Sequence, residues 1–96
     1  MNKNLYVMLM ENKKPLTIAV VNRHVEHLKT LDKQQKLYLC GPFIDYSGGM
    51  VILNTDTLEE AIILAKKDPF ISENYKTFEI RTLEVANKEN NYGLDI

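Results

Sequence analysis

The chain opens with Leu5 to Met10, a run in which every position is apolar. Such a run is long enough for a strand and too short for a stable helix, so it predicts a buried β-strand. Asn12-Lys13-Lys14-Pro15 breaks it. From about Thr17 to Gln34 the spacing becomes helical. Val20, Val21, Val25, Leu28 and Leu31 share one arc, and Arg23, Glu26, Thr30 and Lys33 lie outside it. Leu37 to Cys40 predicts a second strand, followed by Gly41-Pro42-Phe43. Asp45-Tyr46-Ser47-Gly48-Gly49 has hairpin-loop chemistry, with glycines able to take positive φ. Met50 to Leu53 is the third strand. Thr57-Leu58-Glu59-Glu60 fits a capping box, in which the hydroxyl and the carboxylate satisfy free amides at a helix start. Leu58, Ala61, Ile62 and Ala65 then form a second apolar stripe. Asp68-Pro69 ends that helix, because proline disfavours helical geometry in the residue before it. Tyr75 to Val85 reads as a longer strand, with Phe78 and Ile80 opposing Thr77, Glu79 and Arg81 as at a half-exposed edge.

Strand, helix, strand, hairpin, strand, helix, strand is the order of a ferredoxin-like α+β fold. It predicts a four-stranded antiparallel sheet with two helices on one face, its topology restricted by right-handed crossovers. The central strands Leu5–Met10 and Met50–Leu53 are apolar at odd and even positions alike, so both sheet faces call for burial. One short chain has no third layer for the second face. Pairing of two sheets in a homodimer solves this, and docking of the C-terminal tail is the alternative.

Composition narrows the function classes. The chain has 96 residues, 45% apolar and 26% charged, the profile of one folded domain. We place that domain at residues 1–86 and a polar tail at 87–96. A net charge of −1, with lysines paired at most as Lys13-Lys14 and Lys66-Lys67, argues against nucleic acid as a partner. No stretch approaches the about 20 apolar residues of a membrane span. The N-terminus lacks the features of a signal peptide, so a cytoplasmic location is expected. Cys40, the single cysteine, sits in an apolar run and reads as packing. His24 and His27 lack a third metal ligand, and Gly48-Gly49 reads as a turn rather than a phosphate-binding loop. We therefore expect neither metal nor cofactor, and no serine has the context of a nucleophile.

His24 carries the most information. It falls near the centre of the apolar arc of the first helix, pointing toward the sheet, while His27 lies on the flank. The topology brings together the start of that helix, the loop Asn12–Leu16, the hairpin Asp45–Gly49 and the segment after the second helix. Asp68, just past the second helix, thereby meets His24 at one rim. A carboxylate there orients an imidazole or raises its pKa, preparing a general base or acid. A lone histidine on an apolar helix face is also commonly a satisfied core residue, and an Asp before Pro a turn former. The pattern alone leaves both readings open.

These residues resemble the YciI-like (YCII-related) family of small proteins. The resemblance runs from Leu5 to about Val85 and rests on an ordered set: His24, Gly41-Pro42-Phe43, Asp45 with Gly48-Gly49, Leu58-Glu59-Glu60-Ala61 and Asp68-Pro69-Phe70. Gln35-Lys36 stands where the family commonly has a glycine before the second strand. The resemblance implies a ferredoxin-like fold paired into a dimeric α/β barrel, with His24 and Asp68 as the candidate catalytic pair. Tyr6, Arg23, Asp45, Tyr46 and Ser47 are candidate pocket residues. The expected function is cofactor-independent proton transfer on a small molecule, of isomerase, lyase or elimination type. The alternative is a homodimer that binds a small ligand without chemistry, or is purely structural.

Overall fold

A computed structural model describes residues 3–94; Met1 and Asn2, and the tail residues Asp95 and Ile96, lie outside the described residues. The elements are β1 (Asn4–Asn12), α1 (Ile18–Lys33), β2 (Leu37–Pro42), β3 (Gly49–Leu53), α2 (Leu58–Lys67), α3 (Pro69–Ser72) and β4 (Lys76–Glu84). The sheet order is β2-β3-β1-β4, with every neighbouring pair antiparallel. This is the ferredoxin-like α+β fold that the hydrophobic pattern predicts.

Both main helices start where a threonine can accept an amide. Thr17 Oγ1 accepts from Val20 N at 3.1 Å, and Thr57 Oγ1 from Glu60 N at 3.1 Å. The expected box at Thr57 closes differently. The Glu60 carboxylate receives the amide of Asp56 at 3.4 Å and the Lys36 ammonium at 2.6 Å. The inward stripe of α2 is also narrower than the apolar pattern suggests. Ala61 and Ala65 are buried, while Leu58 stays 37% exposed. Small residues at the contact let α2 approach the sheet closely.

The even-numbered side chains of β1 (Tyr6, Met8 and Met10) point toward the helices. They join Val51 and Leu53 of β3, Val20 and Leu31 of α1, Ala61 and Ala65 of α2, and Phe70 of α3 in one core. Sequestering Met8, Leu31 or Leu53 contributes about 1.5–3 kcal/mol each. The odd-numbered residues, Leu5, Val7 and Leu9, turn to the other face. There they stand beside Ile52, Met50 and Leu39, and beside Glu79, Arg81 and Leu83 of β4.

Two local features tie the fold to the rim identified in the sequence. Gly48 (φ 107°) is pressed against β1: a Cβ there would lie 2.0 Å from the Met10 carbonyl oxygen. The hairpin is thus clamped to the end of β1. After α2, Asp68 takes extended geometry (φ −61°, ψ 126°) and starts a second, short helix, α3, with Pro69 in its first turn. Beyond β4, Lys88–Gly93 forms 3₁₀ turns capped by Asn87, with Asn91 and Tyr92 left-handed. Asn90 Nδ2 holds this segment to the strand end by donating to the Val85 carbonyl at 2.7 Å.

Candidate active site

Helical spacing decides where His24 goes. Val20, His24 and Leu31 form the buried stripe of α1, so the imidazole enters the space between helix and sheet. Asp68, 1% exposed, meets it there from the α2–α3 corner. The two Asp68 carboxylate oxygens stand 2.8 and 3.0 Å from His24 Nδ1, and Oδ1 also accepts the Phe70 amide at 2.9 Å. Asp68 is therefore fixed before it acts on the histidine: the same carboxylate oxygen caps α3. The Phe70 ring stacks on the imidazole, with centroids 3.9 Å apart and planes 18° from parallel.

A carboxylate oxygen accepts, so this contact is one in which Nδ1 donates to Asp68. The other nitrogen, Nε2, makes no hydrogen bond among the described residues. Among the described residues no buried side-chain nitrogen lacks a partner, so Nε2 opens to the space beside it.

His24 lines a cavity of about 470 Å³ beneath α1. Its walls are mostly aliphatic: Met10 and Val51 of the sheet, Val25 and Leu28 of the helix. Among the described residues its ionisable lining groups are His24, Cys40 and Lys76. Burial pushes the Cys40 thiol up, which suits an apolar wall better than a nucleophile. Burial likewise holds Lys76 below the ordinary lysine range, opposed by the Asp68 carboxylate. His27, half-buried on the flank of α1, is pushed down chiefly by burial. Among the described residues no three His, Cys, Asp or Glu side chains gather as a metal centre requires.

The structure thus brings His24 and Asp68 together and leaves the five candidate pocket residues outside the cavity lining. Tyr6 is buried in the core near the far end of β1. Arg23, next to His24 in sequence, turns outward and binds Glu73 through two nitrogens at 2.6 and 2.7 Å. Asp45, Tyr46 and Ser47 are exposed in the hairpin loop. Tyr46 lies with Phe43 against Leu9, Glu11 and Glu79, on the sheet face opposite the helices. Lys76 and Phe70 are the lining residues to which the sequence reading gave no role. A signal for Lys76 was available, since it shares strand parity with the inward-facing Phe78 and Ile80.

Residues 5–85 match the YCII-related domain. The chain belongs to the YCII-related domain family. A relative within reach of sequence comparison is the uncharacterized protein YjpA of Bacillus subtilis (strain 168). It is 33% identical over 67 residues, which span 70% of this chain and 79% of YjpA. Among solved structures, the YCII-related chain is similar to 5-chloro-2-hydroxyhydroquinone dehydrochlorinase (TftG) from Burkholderia phenoliruptrix AC1100, in complex with 2,5-dihydroxybenzoquinone. The TM-score is 0.67, covering 91% of this chain and 99% of that one at 16% identity. At that identity the likeness shows the shared fold. Among the described residues of this YCII-related domain, no helix is long and apolar enough to cross a membrane.

Proposed function

We propose that this protein is a cofactor-independent enzyme that moves a proton on a small molecule, with His24 as the catalytic base and acid and Asp68 as its positioning residue. One observation carries the reading: a buried imidazole has Nδ1 committed to a carboxylate and Nε2 free toward a cavity. The Nε2 lone pair takes a proton from an acidic C–H or O–H. The electrons left behind enter the adjacent π-system. In an isomerisation, His24 returns the proton at another atom. In an elimination, the electrons form a new double bond and the leaving group departs with its own bonding pair. Asp68 stabilises the imidazolium in between.

The aliphatic walls exclude water and favour a flat, largely apolar substrate. The dehydrochlorinase activity and bound quinone of TftG support elimination on a small ring as the reaction type. The test is solvent-deuterium exchange into the ring C–H of 2,5-dihydroxybenzoquinone. Wild type is expected to accelerate exchange, and His24→Gln to lose that acceleration by about a hundredfold or more. Binding of the quinone without any accelerated exchange would overturn the enzyme reading in favour of a ligand-binding module.

We further read the protein as a homodimer paired through the open sheet face. Support comes from Val7, Leu9 and Met50, only part-buried on that face, and from Leu39, left 54% exposed. Light scattering at micromolar concentration is expected to return the dimer mass; a monomer would overturn this assignment.

A further inference from the structure

Lys76 is the first residue of β4, beside Asn12 of β1, and its side chain points to the helix side of the sheet. It is only 6% exposed, and its ammonium sits 4.2 Å from the centre of the Phe70 ring. Among the described residues it forms no hydrogen bond or ion pair. The neighbouring acids are committed elsewhere. Both Asp68 oxygens face His24 and one also caps α3, while Glu73 is held by Arg23. Glu11 and Glu79 stand on the other sheet face. Asp68 acts on the ammonium only through space, and a largely buried cation with no hydrogen-bonded anion is costly, because its desolvation is only partly offset. A ring face recovers part of that cost and supplies no hydrogen-bond acceptor. Among the described residues no fully buried side-chain nitrogen lacks a partner, so Nζ is not completely enclosed, and Lys76 lines the cavity.

We propose that Lys76 is a substrate-recognition residue, and that the substrate of the His24 site carries an anionic oxygen: a carboxylate or an ionised enol or phenol hydroxyl. The inference rests on the proton-transfer reading only in calling the ligand a substrate; the anion site stands on its own geometry. Phe70 touches both groups, stacking on His24 and lying under Lys76. Both residues line the same cavity. A planar acid reaching into the cavity puts its oxygen on Nζ and presents its reactive hydrogen to Nε2. The oxygen supplies the partner that the protein withholds from Lys76, so the unliganded cost becomes selectivity for acids over their neutral analogues.

Calorimetric titration with charge-paired probes tests this. Benzoate against benzamide reads the carboxylate, and 4-nitrophenolate against nitrobenzene reads the ionised hydroxyl. Wild type is expected to prefer at least one anion over its neutral counterpart by about tenfold or more. Lys76→Met is expected to erase that preference and Lys76→Arg to keep it. Should Lys76→Met not fold, the Nζ nitrogen resonance of Lys76 in wild type reads the same contact, moving with the preferred anion and not with its neutral partner. Equal affinity for both members of both pairs would overturn the proposal, as would a preference that survives Lys76→Met. A wild-type chain that selects acids yet catalyses no exchange defeats the proton-transfer reading and leaves this one standing.

Discussion

Adjacent residues of α1 reach across to the two ends of α3, and the two links have little else in common. His24 meets Asp68 at the start of α3, with side chains 11% and 2% exposed. Arg23 meets Glu73 at its end, with side chains 50% and 36% exposed. The second link has the better geometry for holding elements together: a guanidinium fork on a carboxylate, at short distance. Lying in solvent, it is screened and its charges keep most of their hydration. The first is a mediocre tether and a good chemical device. Its desolvation makes removal of either partner expensive, and it leaves one imidazole nitrogen free in a water-poor cavity. Both pairs tie α1 to α3, the outer one in solvent and the inner one beside the cavity.

The comparison is broken or sharpened first at Asp68. Asp68→Ala removes the carboxylate under His24 and the cap of α3 together, and should cost about 3–5 kcal/mol in urea unfolding. Asp68→Asn can still accept from the Phe70 amide, so it should lose much less stability while its side-chain amide no longer dictates the imidazole tautomer. Equal losses from the two variants would mean that the charge, not the cap, holds the corner. The outer pair should respond on a smaller scale and through pH. Arg23 holds the Glu73 carboxyl below the ordinary glutamate range by hydrogen bonding and charge. Its folded pKa is lower than its unfolded one, so the link stabilises fully above the ordinary value of about 4.3 and is lost as pH falls through the lowered value. Wild type should therefore exceed Glu73→Gln slightly in denaturation midpoint at pH 7, and the gap should close toward pH 3. A gap independent of pH would make the contact one of packing rather than charge.

Sequence reading reached His24 and Asp68 because each sits on a strong local rule. A helical stripe fixes which way position 24 points, and a proline fixes where α2 stops. The antiparallel helices then bring those two points to one rim. The five candidate pocket residues lie outside the lining of this cavity, for different reasons. Loop residues such as Asp45, Tyr46 and Ser47 carry no periodicity, so nothing in their order tells which sheet face the hairpin leans over. Arg23 lies one residue from His24, and that single helical step turns its side chain from core to solvent. Tyr6 has the right strand parity but sits on the wrong stretch of β1. Lys76 obeys the alternation of β4 and was hidden by its chemistry, since a lysine at the head of a half-exposed strand is usually read as facing water. The short α3 was obscured for the opposite reason: Asp-Pro is a stop signal that here is also a start.

That double use of Asp68 affects what kinship can reveal. The residue ends one helix, begins another and steers an imidazole, and the first two duties persist whether or not any reaction occurs. A descendant that abandoned chemistry would still have reason to keep it. His24 caps no helix, and on the proposed reading its one duty is that of a base, which an aliphatic side chain on α1 would not perform. Among relatives of this chain, an aspartate at the corner speaks for inheritance of the turn. A histidine on the helix speaks for inheritance of the trade.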